Sequence, residues 1–132
     1  MAVDKQNQGR QNREWGAYCE QIAADYFLSN DYTIRERNWK LNKIEIDLIV
    51  QKERTIAFVE VKARKPLHQD PVLAVDQKKQ KSMIKAADIY LRNEKILMQY
   101  RFDILAVTGE MDNFKIDHYA DAFMPQVNGG LS

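Results

Sequence analysis

Charged residues interrupt two otherwise apolar runs of the chain. Ile44-Glu45-Ile46-Asp47-Leu48-Ile49-Val50 is followed by Phe58-Val59-Glu60-Val61-Lys62. Strand residues of equal parity share a face. Glu45, Asp47 and Ile49 are therefore expected to point one way, and Ile44, Ile46, Leu48 and Val50 the other. In the second run Glu60 and Lys62 share a face, opposite Val59 and Val61. A hairpin between the runs would bring Asp47 close to Glu60, with Lys62 beside them. Two carboxylates that close repel each other unless a cation lies between them or one binds a proton. Hard oxygen ligands suit Mg²⁺ or Mn²⁺, and Mg²⁺ commonly takes one or two carboxylates together with a substrate phosphate. The lysine would steer an attacking water or offset charge developing on phosphorus. The plainer alternative is a salt-bridged, half-exposed hairpin face. Spacing alone does not separate the two.

The elements that must position these residues are legible from periodicity. Asn12 is a good N-cap type, and Trp15, Tyr18, Cys19, Ile22, Ala23, Tyr26 and Phe27 follow at helical spacing up to a stop at Ser29-Asn30-Asp31. Strands are expected over 32–39, 43–51 and 55–62, with short hairpin turns between them. A loop with Pro66, His68, Asp70 and Pro71 separates them from a second helix, capped by Asp76 and running to about Arg92. Strands over 100–108 and 114–119 complete the pattern. The order helix, three strands, helix, two strands predicts one α/β domain over 12–123, built on a mixed sheet. Residues 1–11 read as a flexible arm and 124–132 as a loose tail.

Composition narrows the function classes. The 132 residues suit a single core, and 45% apolar residues suffice to build it. Twenty Lys and Arg against nineteen Asp and Glu exclude a polybasic tail protein. Residues 1–108, however, hold nineteen bases against fifteen acids, a net +4. The lone Cys19 has no internal disulfide partner, which suits a reducing compartment. No apolar run reaches the ~20 residues of a membrane span, and the first ten residues lack a signal peptide's apolar core. The expectation is a cytoplasmic protein with no membrane partner.

Basic residues flank the proposed site. Arg35, Arg37, Lys40 and Lys43 surround the first hairpin, and Arg64 and Lys65 follow Lys62. With Trp39 they could hold a phosphate backbone and stack a base, or be ordinary surface charge. Lys78, Lys81, Lys85 and Arg92 share one face of the second helix, as a solvated face or a phosphate-tracking stripe. Lys79 falls instead on the inward face, where it needs the carboxylate cluster as partner or must snorkel to the edge. Asp103 is expected to pair with Arg101 or cap the sheet edge, His68 to be a surface residue, and Cys19 a small core residue.

Several of these pieces together resemble the YraN-like family of bacterial proteins, which is itself similar to the PD-(D/E)XK nuclease superfamily. The matching pieces are Gly16 with Glu20, Arg37-Asn38-Trp39, Glu45-Ile46-Asp47-Leu48-Ile49 and Val59-Glu60-Val61-Lys62-Ala63-Arg64. Further matches are Ala74-Val75, Lys79, Ala86-Ala87, Tyr90-Leu91 and Arg101-Phe102-Asp103, so the resemblance spans roughly residues 13–123. Ile46 stands where the superfamily name has proline, Cys19 where the family often has glycine, and Ile44 where glycine commonly precedes Glu45. The resemblance implies a restriction-endonuclease-like central mixed sheet flanked by helices, and Mg²⁺- or Mn²⁺-dependent cleavage of DNA more than RNA, on branched or damaged substrates. It implies Asp47 and Glu60 as metal ligands and Lys62 as the catalytic lysine. Glu20 would assist from the helix, with Gly16 permitting close packing there, unless Glu20 only pairs with Arg13. Arg37, Lys40, Arg64, Lys65 and Lys79 would contact the nucleic acid. The layout is similar to archaeal Holliday-junction resolvases, which implies a homodimer. The competing class is a nucleic-acid- or partner-binding module that keeps the fold without turnover.

Overall fold

In the computed structural model, which describes residues 5–65 and 75–124, the chain forms α1 (Lys5–Ser29), β1 (Thr33–Leu41), β2 (Ile44–Lys52), β3 (Thr55–Arg64), α2 (Gln77–Asn93), β4 (Gln99–Glu110) and β5 (Asn113–Phe123). The five strands form one sheet in chain order. All neighbours are antiparallel except β3 and β4, which run parallel because α2 returns the chain to the same end. This is the mixed α/β sheet flanked by helices that the sequence predicts, and it is consistent with a restriction-endonuclease-like fold.

Alternation along β3 divides the core into two layers. Ile56 and Phe58 pack with Ile46, Ile49, Phe102 and Ile104 beneath Met83, Ala86, Ala87 and Tyr90 of α2. Ala57 and Val59 face the other way, joining Leu48, Val50 and Leu105 beneath Ala23, Ala24 and Phe27 of α1. Trp15, Cys19 and Ile22 extend that second layer onto Val107, so Cys19 is the expected core residue. Asp76 caps α2 as its spacing predicts, its Oδ1 accepting the Lys79 N–H at 2.8 Å.

The element ends depart from expectation in two places. Helix α1 begins at Lys5 rather than Asn12, so part of the expected arm is helical. Once Trp15, Cys19 and Ile22 anchor the helix, its polar Gln and Arg residues propagate it backward at little cost. The Arg10–Glu14 pair at 3.5 Å adds support. Strand β5 continues past Tyr119 to Phe123, with the ladder to β4 shifting between Phe102 and Ile104 and Asp121 taking φ 55°. His68 and residues 125–132 lie outside the described residues.

A candidate metal centre at the fork between β2 and β3

Two strands part company at Asp47. The β2–β3 ladder runs from Lys52↔Thr55 to Leu48↔Val59 and has no further pair. One step beyond, the Asp47 side chain takes the place of a strand carbonyl, its Oδ2 accepting the Val61 N–H at 2.8 Å. This overturns the strict alternation expected across the strand. Ile46 and Ile49 pack under α2, whereas Leu48 and Val50 pack under α1. A carboxylate that bonds within the plane of the sheet cannot point to either face, and the pattern changes phase around it.

The fork gathers acids from three elements. Carboxylate oxygens of Glu20 on α1 and of Glu45 and Asp47 on β2 all lie within 4.8 Å of one another, each residue half-buried. Glu60 on β3 is 8% exposed, and its Oε2 is buried without a hydrogen-bond donor. Two ammonium groups approach it: Lys62 Nζ lies 3.7 Å from Oε1 and Lys79 Nζ 3.6 Å from Oε2. Lys79 also donates to the Glu45 carbonyl at 3.4 Å. It therefore meets the carboxylates rather than snorkelling away.

Four carboxylates against two ammonium groups leave the fork electronegative, which favours proton uptake by its acids. Burial, and then the charge of Glu60, push the Asp47 carboxyl up to about 7. The Val61 N–H pulls it down, Glu20 raises it again, and Lys79 lowers it. Glu20 is raised by burial and by Glu45 and Glu60. Burial, helped by Glu20, lifts the Cys19 thiol to about 12, so it is no nucleophile. An electronegative group of hard oxygen donors that must otherwise bind protons suits Mg²⁺ or Mn²⁺. The donor set fits such an ion.

The expected site residues are thus brought together, with changes of partner. Glu20, Glu45 and Asp47 form the close group, the charge of Glu60 acts on both Asp47 and Glu20, and Lys62 joins through Glu60. Glu45 shares a strand and a parity with Asp47, and that spacing is the sequence signal for it. Glu20 forms no ion pair with Arg13 among the described residues. Gly16 does not serve close packing, because a Cβ built there meets no atom within 4 Å. Of the expected nucleic-acid contacts, Arg37, Lys40 and Lys65 are exposed, with Arg37 donating to Gln21 Oε1 at 3.1 Å. Arg64 is half-buried with its Nε unpartnered.

Comparison with known proteins places the chain. The profile of the family described as "Uncharacterised protein family UPF0102" matches residues 19–107, from the second half of α1 through β4. The chain belongs to the UPF0102 family. A UPF0102 protein of Bacteroides thetaiotaomicron is 40% identical over 116 residues, covering 87% of this chain and 96% of the relative. One from Phocaeicola vulgatus is 36% identical over 118 residues, covering 89% and 98%. One from Chlorobium phaeobacteroides is 40% identical over 119 residues, covering 84% and 94%. This is the YraN-like family that the motifs resemble, and the residues matched to UPF0102 contain every acid of the fork.

A second buried polar group lies elsewhere and is structural. Asp103 is fully buried and holds Arg101 at 2.9 Å, His118 Nε2 at 2.8 Å and the Asp121 N–H at 3.0 Å. Arg101 donates to Tyr32, and His118 Nδ1 lies 3.0 Å from the Tyr26 hydroxyl. The network ties α1 to β4 and β5. Pairing of Asp103 with Arg101 was expected; the part played by His118 depends on the fold and has no local signature. Among the described residues no helix is long and apolar enough to cross a membrane.

Proposed function

We propose that this UPF0102 protein is a divalent-metal-dependent nuclease that hydrolyses phosphodiester bonds in DNA, with branched or damaged duplexes as preferred substrates. The observation that carries this reading is the convergence of Glu20, Glu45, Asp47 and Glu60 at one fork, with Lys62 and Lys79 at its edge. A protein that only bound nucleic acid would gain nothing from four acids where a phosphate must approach, since they repel it. Glu20, Glu45 and Asp47 would hold Mg²⁺ or Mn²⁺, with Glu60 facing the same space. When bound, such an ion acts as a Lewis acid toward the phosphoryl group.

The chain's own residues supply the rest. Asp47 is fixed by the Val61 N–H, so its oxygen is positioned before any ligand arrives. Glu60 holds the Lys62 ammonium at the rim, where it can orient the attacking water and offset the charge that builds on phosphorus. Hydrolysis adds that water across one P–O ester bond. Arg37, Lys40, Arg64 and Lys65 would grip the backbone beside the fork, and a four-way substrate with two equivalent strands would call for a homodimer.

The test separates grip from turnover. Lys62→Ala should leave DNA affinity within a few fold and abolish single-turnover cleavage in Mn²⁺. Arg64→Ala and Lys65→Ala should weaken binding and flatten its salt dependence while slow cleavage persists at high protein concentration. A wild type that binds linear, flapped and four-way DNA yet cuts none of them at any metal concentration would leave the silent binding module as the better description.

A further inference from the structure

Between α2 and the start of β2 runs a groove of about 530 Å³, lined by Ile44, Gln77, Lys78, Lys81, Ser82 and Lys85. Its three lysines are exposed and, among the described residues, form no ion pair. This separates them from the other bases of the same helix. Lys79 is engaged by Glu60, and Arg92 is closed onto Asp88 at 2.7 Å. Three like charges that share a groove without a carboxylate repel one another, and an anion relieves that repulsion.

The groove and the fork are built from adjacent residues of the same two elements. Ile44 precedes Glu45, one of the clustered acids, and Lys78 precedes Lys79, whose ammonium touches Glu60. Lys78, Lys81 and Lys85 stand three and four positions apart, hence on one face of the helix, and span about 10 Å along its axis at 1.5 Å per residue. A duplex strand advances about 3.4 Å per nucleotide along its axis, so three lysines over that span can reach phosphates within a run of about four. Ser82 adds a hydrogen-bond donor between Lys81 and Lys85, Gln77 one ahead of Lys78, and Ile44 an apolar part of the lining.

We infer that the Lys78–Lys81–Lys85 groove is a DNA-backbone site that holds the phosphates of one strand on the α2 side of the cleavage position. The inference rests on the nuclease reading for its orientation, while the groove's affinity for DNA is measurable without turnover. Lys78, Lys81 and Lys85 would extend the contact surface beyond Arg37 and Lys40 of β1 and Arg64 and Lys65 at the end of β3, and run the bound strand past Lys79 into the fork.

The probe is a short labelled DNA duplex, its affinity read by fluorescence anisotropy in EDTA across a salt series. Each phosphate neutralised contributes about 0.9 to the slope of log K against log salt. The Lys78→Ala/Lys81→Ala/Lys85→Ala variant should therefore lose between two and three from that slope. From about 50 to about 200 mM salt, the wild type should then lose about 40-fold more affinity than the variant does. The corresponding triple arginine variant should keep the wild-type slope, and Lys81→Ala alone should lose about one from it. Alanine at Lys52, Lys95 and Lys115, away from the groove, should change nothing. A triple alanine variant with wild-type slope and affinity overturns the inference, as does a wild type that fails to bind the duplex. The two readings fail separately. A wild type that binds but never cuts in Mn²⁺ ends the nuclease proposal and leaves the groove standing, whereas an unchanged slope ends the groove even when the wild type cuts.

Discussion

Replacing Asp47 with asparagine should stabilise the metal-free protein and abolish its stabilisation by metal. The amide keeps an oxygen for the Val61 N–H, now held at 2.8 Å, and removes the charge that Glu60 and Glu20 oppose. A carboxyl raised from 3.8 to about 7 favours its protonated form in the folded state. The folded chain thus binds the proton more tightly than the unfolded chain. This contribution to stability is fully present below about pH 4 and is lost as pH rises through about 7. Across that interval of about three pH units, at 1.36 kcal/mol each, the ceiling is about 4 kcal/mol. Asp47 is partly solvated, so we expect Asp47→Asn to gain about 1–3 kcal/mol at about pH 8.5. For a chain of this length that is about 3–10 °C in Tm, and the gain should shrink towards pH 5 as wild-type Asp47 takes up its proton. Thermal melts in EDTA at the two pH values measure it. In saturating Mn²⁺ the order should reverse, because only the wild type gains linkage stabilisation. A variant no more stable than wild type in EDTA at high pH would refute the electrostatic reasoning. A variant stabilised by Mn²⁺ as much as wild type would refute the placement of the ion.

Two further predictions concern the frame. Gly16→Ala should raise stability by about 0.5–1 kcal/mol in a urea titration, since alanine is the better helix former and the added Cβ meets nothing; a loss would show that a close contact was missed. Asp103→Ala should cost about 3–5 kcal/mol in the same titration, because it leaves Arg101 without its buried counter-charge. Burial pushes the Asp103 carboxyl up, but hydrogen bonds from His118, Arg101 and the Asp121 N–H outweigh it and hold the carboxyl below its usual range. Its contribution is therefore present above the ordinary aspartate value and lost as pH falls through the lower, folded one. The variant should accordingly show a flatter acid-unfolding profile than wild type, and an equally steep one would assign the acid sensitivity to other groups.

How much of this was legible in the sequence varies with the range of the interactions involved. The acid-bearing strands were readable because Ile, Val and Phe alternate with single charges. The start of α2 was readable because Asp76 is a local cap. The start of α1 was not, since the polar residues before Asn12 have no apolar period, and their helicity is borrowed from the packing of Trp15 and Cys19. The length of β5 was hidden by Asp121, whose left-handed backbone interrupts the pattern where the ladder shifts. At the site, parity placed Glu60 and Lys62 together correctly. It misplaced Ile49 and the strand's later residues, because nothing in the sequence shows where the β2–β3 ladder stops and Asp47 takes over. Glu45 was within reach of a parity argument. Glu20 needed the resemblance, since only the packing of α1 across the sheet brings it to the fork.

Metal-dependent cleavage by wild type and Asp47→Asn is the most direct test of the central claim, that the fork between β2 and β3 is a cation site built for phosphodiester hydrolysis. The measurement is single-turnover cleavage of an end-labelled four-way DNA junction and its linear arms across a Mn²⁺ titration, with an EDTA control. The proposed function predicts cleavage that rises with Mn²⁺ in the wild type, favours the junction, and is absent from Asp47→Asn although that variant still binds the DNA. Cleavage that survives in Asp47→Asn or in EDTA, or no cleavage by the wild type at any Mn²⁺ concentration, would contradict it.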